Sequence, residues 1–217
     1  MNGNKILISI AALLIFLGAN SIAFAEELRP IELLSPQIEE GKSLTQALKK
    51  RQSAREFSEK ELPLEIISDL LWAASGVNRP DSGKRTAPTA KNSQEIDIYV
   101  AMKKGLYLYN AGKHILDPVM AKDIREFTGL QSFTQTAPLN LIYVADFSKI
   151  DGNDEDKVSS SAIDTGFMSQ NVYLFCASEG LATVVLGWVD KSSLAKIMNL
   201  KDDQRVILTQ PIGYPGR

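Results

Sequence analysis

Cysteine and histidine each occur once in 217 residues, as Cys176 and His114. A lone cysteine excludes an intrachain disulfide framework, and its neighbours Leu174, Phe175 and Ala177 mark a buried helix position rather than a reactive thiol. His114, in Gly112-Lys113-His114-Ile115, reads as a surface or packing residue. With the one histidine so placed, no Ser-His-Asp relay can be assembled and a histidine-based metal site is disfavoured. Neither sign of charge dominates: 24 Lys and Arg stand against 26 Asp and Glu, and the basic residues are scattered. That balance gives no reason to expect nucleic acid as a partner. The acidic stretch Asp151, Asp154, Glu155 and Asp156 lacks the closing glutamate of a calcium loop and reads as a solvated charged loop. There is no G-x-G-x-x-G after a strand, hence no separate dinucleotide motif. Internal repeats, low-complexity tracts and long Pro/Gly linkers are absent too.

What is present begins with an export signal. Lys5 precedes an apolar run from Ile6 to Ala19, broken only by Ser9 and Gly18, and small residues lead to Ala23-Phe24-Ala25 with Glu26-Glu27 beyond. This is the three-part layout of a cleavable secretory signal. A membrane span wants about 20 apolar residues, and Asn20 and Ser21 arrive too early for one. No twin arginine and no cleavage-site cysteine accompany the run, so neither folded export nor a lipid anchor is indicated. The expectation is a signal peptide over 1–25 and one mature domain over 26–217. That domain would be periplasmic or extracellular, with no stable membrane anchor.

Along the domain, residues 26–42 read as extended and Ser43-Leu-Thr-Gln as the start of a short helix. Pro63 opens a second helix with Ile67, Leu70, Leu71 and Ala74 on one face and Gly76 at its close. Residues 77–92 form a dense polar loop. Ile96 to Met102 alternates like a strand, and Gly105-Leu-Tyr-Leu-Tyr pairs with it as a hairpin. A helical stretch is expected around Asp117 to Gln131, and Leu139 to Val144 reads as a short central strand. Residues 158–179 form the longest helix, apolar over most of its circumference, as suits the middle of a structure or an interface. A buried strand over Ala182 to Leu186, a helix over Ser192 to Asn199 and a strand over Val206 to Ile212 follow. Strands and helices mix without a βαβ rhythm, which gives an α+β layer arrangement.

Four segments carry candidate chemistry. In Arg51-Gln52-Ser53-Ala54-Arg55, alternate residues of an extended stretch project to one side, so two guanidinium groups and a hydroxyl can converge on a phosphate monoester. The same residues also read as the solvated basic end of a helix, since Lys49 and Lys50 precede them. Arg85 to Gln94 offers short polar side chains in a loop before a strand, suited to a flat polar ring or to an ordinary turn. In Gly180 to Gly187 a strand leads to a glycine whose backbone N–H a ligand can approach closely, or which simply ends a strand. The chain closes on Gln210-Pro-Ile-Gly-Tyr-Pro-Gly-Arg217, whose arginine is either frayed or a further phosphate contact.

In order and spacing, these segments resemble the nitroreductase-like FMN family, in particular its branch of azoline-forming peptide dehydrogenases. The resemblance spans roughly 43–217. It rests on Arg51-x-Ser53-x-Arg55-x-Phe57, the run Leu71 to Arg79, the loop Pro88 to Gln94, Asp164 to Asn171, and Gly213-Tyr214-Pro215. It implies an α+β nitroreductase-like fold with a central, mostly antiparallel sheet flanked by helices, in an intertwined homodimer holding two FMN molecules. By that resemblance Arg51 and Ser53 hold the FMN phosphate and ribityl chain with Gln52 alongside, and Arg55 sits near flavin N1 and O2. Pro88, Thr89, Ala90 and Asn92 reach the flavin from the other subunit. Leu186 and Gly187 lie at its edge, with the Gly187 N–H toward N5, and Arg217 reaches the phosphate.

The resemblance further implies that the flavin, not a catalytic side chain, carries two-electron ping-pong chemistry to or from a small organic substrate. No metal is expected. The alternative from another class is a non-catalytic periplasmic flavin-binding or scavenging protein. Export separates the chain from cytoplasmic NAD(P)H, so the expected electron donor is a small extracytoplasmic reductant or a membrane-linked carrier.

Overall fold

Strands here run apolar on both faces because both faces of the sheet are covered. A computed structural model describes residues 27–216 except 38 and 40. The expected signal over 1–25 and Arg217 lie outside the described residues. The strands are β1 (Ile31–Glu32), β2 (Val77–Arg79), β3 (Lys84–Arg85), β4 (Ile96–Met102), β5 (Gly105–Asn110), β6 (Ile115–Met120), β7 (Leu139–Asp146), β8 (Ala182–Thr183) and β9 (Gln204–Gly213). Seven form one sheet in the order β1-β6-β5-β4-β7-β9-β8, every pairing antiparallel, while β2 and β3 make a separate ribbon. The helices are α1 (Leu44–Lys50), α2 (Leu64–Ser75), α3 (Phe133–Thr136), α4 (Asp154–Glu179) and α5 (Lys191–Ile197).

The period of two in the central strands assigns each residue to a face. Ile96, Ile98, Val100 and Met102 of β4, with Leu139, Leu141, Tyr143 and Ala145 of β7, pack with Leu70, Leu71, Met168 and Val172 from α2 and α4. Tyr99, Ala101, Ile142 and Val144 pack on the opposite side with Leu194 of α5, Met198 and Ile124. Leu70, Leu71, Leu141 and Ile142 are fully buried, each contributing about 1.5–3 kcal/mol by removal from water.

Local signals account for most helix ends. Ser43 and Gln46 form a reciprocal capping box on α1, Pro63 precedes α2, and Gly180 closes α4 in the left-handed conformation. Two expectations are corrected. The helix expected over Asp117 to Gln131 is instead strand β6, then a 3-10 turn at Arg125–Thr128. Pro118 is tolerated in β6 because β1 reaches only Ile115 and Leu116, so no partner on that side asks for its missing N–H. The acidic residues Asp154, Glu155 and Asp156 are not a loop but the first turn of α4, capped by Asn153, where their charge faces the positive end of the helix dipole.

Cys176 is buried on α4, and burial raises its thiol pKa well above the ordinary range, as its core reading implied. His114 is a packing residue: Nδ1 meets Tyr109 Oη at 2.9 Å and Nε2 meets Leu34 O at 2.9 Å. No described helix is long and apolar enough to cross a membrane.

Candidate functional site

One tyrosine organises the first half of the site. Tyr173 projects from α4, and its hydroxyl lies 3.0 Å from Ser53 Oγ while accepting the Val185 N–H at 2.9 Å. The Arg51 guanidinium sits over the same ring, 5.3 Å from its centroid. The segment after α1 is therefore fastened to α4 and, through Ala54 N–H donating to Thr183 O at 3.0 Å, to β8. It continues into Phe57, which bridges to Pro215 near the chain end, with Gly216 N–H donating to Glu56 O at 2.9 Å.

Of the three residues expected to converge from this extended segment, the structure brings two together. Arg51 and Ser53 are brought together at Tyr173. Arg55 is exposed, with no hydrogen bond or ion pair among the described residues. Gln52 and Ala54 line a recess of about 470 Å³ with Lys49, Lys50, Thr183 and Tyr173 itself. Gln52 thus neighbours the Arg51–Ser53 pair along the chain and lines a hollow that Tyr173 also borders.

The strand end at Leu186 is rigid and the residue after it is open. Leu186 exchanges both backbone hydrogen bonds with Thr209, at 2.8 and 3.1 Å. Gly187 is exposed, and its N–H has no acceptor among the described residues. A Cβ added there would meet only Leu208 Cδ2, at 3.8 Å, so the chain's own packing does not demand glycine. Residues 124–137 fold against this point. Leu130 N–H donates to Trp188 O at 3.3 Å, and a Cβ on Gly129 would come within 2.8 Å of Leu186 Cδ1. Buried Asn140 anchors that covering segment, its amide donating to Thr128 Oγ1 at 2.9 Å and Thr134 O at 2.7 Å. Trp188 and Leu130 expose 70% and 58% of their surface, which leaves an apolar lip beside the open amide.

The loop from Arg85 to Gln94 is the second half. Lys91, Asn92 and Gln94 all take left-handed backbone angles, with φ of 53°, 58° and 49°. Such strain persists only where the surroundings fix it. Gln94 N–H donates to Thr89 Oγ1 at 3.0 Å, Arg85 Nε to Gln94 Oε1 at 2.9 Å, and Ala90 N–H to Asp164 Oδ2 on α4 at 2.8 Å. Burial lowers the Arg85 pKa. Pro88, Ala90 and Asn92 are exposed and Thr89 half-buried. Within one chain this loop and the Arg51–Ser53 segment are not brought together, because they fasten to different faces of α4.

Sequence reasoning missed Tyr173 as an organiser. Its Ser53 partner lies 120 residues away, and nothing local distinguishes it from a packing aromatic. Glu95, fully buried behind the loop, was missed as well. Asp164 was noticed only as part of a run. Among the described residues no cluster of His, Cys, Asp or Glu could hold a metal ion.

A seven-stranded antiparallel sheet packed against a long helix places the chain in the α+β class. The chain belongs to the nitroreductase family, whose model matches residues 48–214. A crystal structure from Ralstonia eutropha JMP134, designated a nitroreductase provisionally, superposes with a TM-score of 0.84 at 41% identity, covering 90% of this chain and 93% of that one. A Methanocaldococcus jannaschii protein with the same provisional designation is 31% identical over 194 residues, 84% of this chain and 96% of its own length. The E. coli microcin synthetase complex, solved with a truncated precursor peptide bound, contains a chain of this fold. That chain has a TM-score of 0.70 at 20% identity, with 97% of this chain and 85% of that chain covered. Members of the family are oxidoreductases and typically flavoproteins.

Proposed function

We propose that this protein is an FMN-dependent oxidoreductase, acting as a homodimer on a small organic substrate. The observation that carries this reading is the position of Tyr173, whose single side chain ties the Arg51–Ser53 segment to the strand leading to Gly187. A phosphate held at one end and a donor offered at the other suit a long cofactor with an anionic tail and a planar head. The donor chemistry fits. Arg51 and Ser53 supply charge-assisted and hydroxyl donors for the phosphate, with Gln52 alongside and Arg217 as a further contact. Arg55, unengaged among the described residues, supplies positive charge for the pyrimidine end of the ring. The Gly187 N–H, beside Leu186, has no other acceptor among the described residues.

Pro88, Thr89, Ala90 and Asn92 of a second copy complete the site. This explains why the loop is held rigid yet lies away from the Arg51–Ser53 segment of its own chain. Exposed Ile163 and Phe167 on α4 and Leu44 and Leu48 on α1 supply apolar surface for that pairing. Bound FMN supplies the two-electron redox chemistry. The chain's residues position the cofactor, hold a cationic group near its polar edge and set an apolar lip, Trp188 with Leu130, where a planar substrate enters.

The test is the visible spectrum of the purified protein with its FMN content. One FMN per subunit, bleached by a reductant and recovered with an organic acceptor, is expected. A protein that does not retain added FMN overturns the reading, and one that retains it but never turns over is a binder instead.

We also propose that residues 1–25 are removed on export and that NAD(P)H is a poor donor, the physiological reductant being a small extracytoplasmic molecule or membrane-linked carrier. Intact-mass measurement from the native host should find Glu26 first, and retention of Met1 would refute it. Rapid, saturable bleaching by micromolar NADH or NADPH would overturn the donor assignment.

A further inference from the structure

Behind the strained loop lies an acid pair that the proposed chemistry does not use. Glu95 is fully buried immediately before β4, its carbonyl accepting the Asp146 N–H at 2.9 Å, and Asp164 on α4 is 3% exposed. Asp164 Oδ2 accepts the Ala90 N–H at 2.8 Å, so this carboxylate fastens the loop. Glu95 reaches the same loop from behind: its Oε2 lies 3.0 Å from Ser93 Oγ, which also lies 2.7 Å from Ala90 O.

Counting hydrogens exposes a deficit. The Ser93 hydroxyl carries one hydrogen and faces two oxygens, Ala90 O and Glu95 Oε2, that are acceptors when Glu95 is ionised. Glu95 Oε1 is buried with no donor, and Asp164 beside it has none to give when ionised. The hydroxyls of Ser161 and Thr165 on the same side of α4 are buried without partners, so they do not make up the shortfall. The nearby charges look elsewhere. Arg85 turns to Gln94 and Ser75, and Asp146 turns its carboxylate to Ser148 and Lys149. A proton on Glu95 Oε2, donated to Ser93 Oγ, leaves the Ser93 hydrogen for Ala90 O and removes the shortfall at Ser93.

We infer that Glu95 retains a proton behind the 88–94 loop, and that this proton clasps the loop through Ser93 and Ala90, making the loop's position depend on pH. The two acids are positioning residues: they act through Ala90 and Ser93. The consequence for FMN rests on the functional reading above, in which the loop completes a partner's site. Burial raises the Glu95 pKa above the ordinary carboxyl range against the opposing pull of its own backbone N–H and the Ser93 hydroxyl, and the Asp164 carboxylate adds to the rise, in keeping with a proton retained there. With the folded-state pKa raised, the clasp is intact at low pH and lost as pH climbs through that raised value.

The test is hydrogen exchange of the 88–94 amides in the FMN-free full chain across pH, corrected for intrinsic exchange. Wild-type protection should fall as pH rises. Glu95→Gln, which carries its hydrogens at every pH, should keep the loop protected and its profile flat, and Asp164→Asn, which supplies an amide donor to Glu95, should do the same. Infrared spectra should show a neutral carboxyl band in the wild type above the ordinary glutamic acid range that Glu95→Gln lacks. FMN dissociation constants should rise with pH by about tenfold per unit over the same range in the wild type, the slope of one linked proton, and not in Glu95→Gln. Flat wild-type protection, or a missing carboxyl band, overturns the clasp. Loop protection that follows the scheme while FMN binding ignores pH leaves the clasp standing and overturns the loop's role in the cofactor site.

Discussion

Asp164 and Tyr173 stand nine residues apart on α4, two and a half turns, so they flank its buried stripe on opposite sides. The stripe itself runs through Ser161, Thr165, Met168, Val172 and Cys176. Asp164 holds the strained loop and Tyr173 holds the Arg51–Ser53 segment, about 14 Å apart along the axis. Two halves of a binding site fixed to opposite flanks of one helix are the arrangement expected when each half serves a different copy of the cofactor.

Tyr173→Phe should separate organisation from packing. The ring under Arg51 remains, while the hydroxyl shared by Ser53 and Val185 is lost. An unmatched backbone N–H at Val185 costs about 1–3 kcal/mol in stability. FMN affinity should drop roughly tenfold, a change of about 1.4 kcal/mol. Fluorescence titration and urea denaturation report the two quantities, and unchanged affinity would show that Tyr173 only packs.

The two arginines should part company when each is truncated. Arg51→Ala should weaken FMN binding roughly ten- to a hundredfold through loss of a charge-assisted contact. Arg55→Ala should also lower the midpoint potential of bound FMN, because positive charge near the ring favours its reduced, anionic form. Spectroelectrochemistry of the FMN-loaded Arg55 variant checks this, and an unaltered potential would remove Arg55 from the ring.

If two copies pair as proposed, Phe167→Glu should separate them by placing a charge on exposed apolar surface of α4. Light scattering should find a monomer, and FMN should be released with it. A monomer that keeps its FMN would show that a single chain holds a whole site.

His114 supplies a pH-dependent part of stability. Burial depresses its pKa below the ordinary 6.5 despite the opposing pull of Leu34 O and Asp69. The fold therefore favours the neutral ring, and this contribution is present above pH 6.5 and lost as pH falls through the depressed folded value. His114→Asn suits the local φ of 54° and cannot titrate. The denaturation midpoints of wild type and variant should converge between about pH 7 and pH 5. Parallel curves would exclude the role.

The elements that the sequence announced are those with local causes. The helix start at Ser43-Leu-Thr-Gln, the apolar face of α2 and the alternation of β4 are written in short windows, and the structure has each where expected. The stretch from Asp117 to Gln131 does not announce its strand because Asp117, Pro118 and Met120 owe that state to pairing with β5 across a turn, not to a pattern of their own. The site was legible to the same extent. Arg51 with Ser53, and Gly187, stand out by residue type and spacing, yet each also reads as an ordinary helix or strand end, and their proposed roles come from the family resemblance. Tyr173, Glu95 and the role of Asp164 depend on contacts across the fold that no local pattern encodes.

The ends of the sheet bear on how copies of this chain meet. Its outermost strands, β1 and β8, are only two residues each, so the long strands inside them are left partly uncovered. Where β6 extends past β1 it carries Asp117 and Pro118, a charge and a residue with no N–H. Where β9 extends past β8 it carries exposed Arg205, and its register with β7 shifts between Val206 and Leu208. Charge, proline and a bulge each spoil a template for strand addition. Neither border therefore invites the edge-to-edge stacking that seeds fibrils, and encounters between folded chains are steered away from backbone pairing and onto side-chain surfaces of the helices.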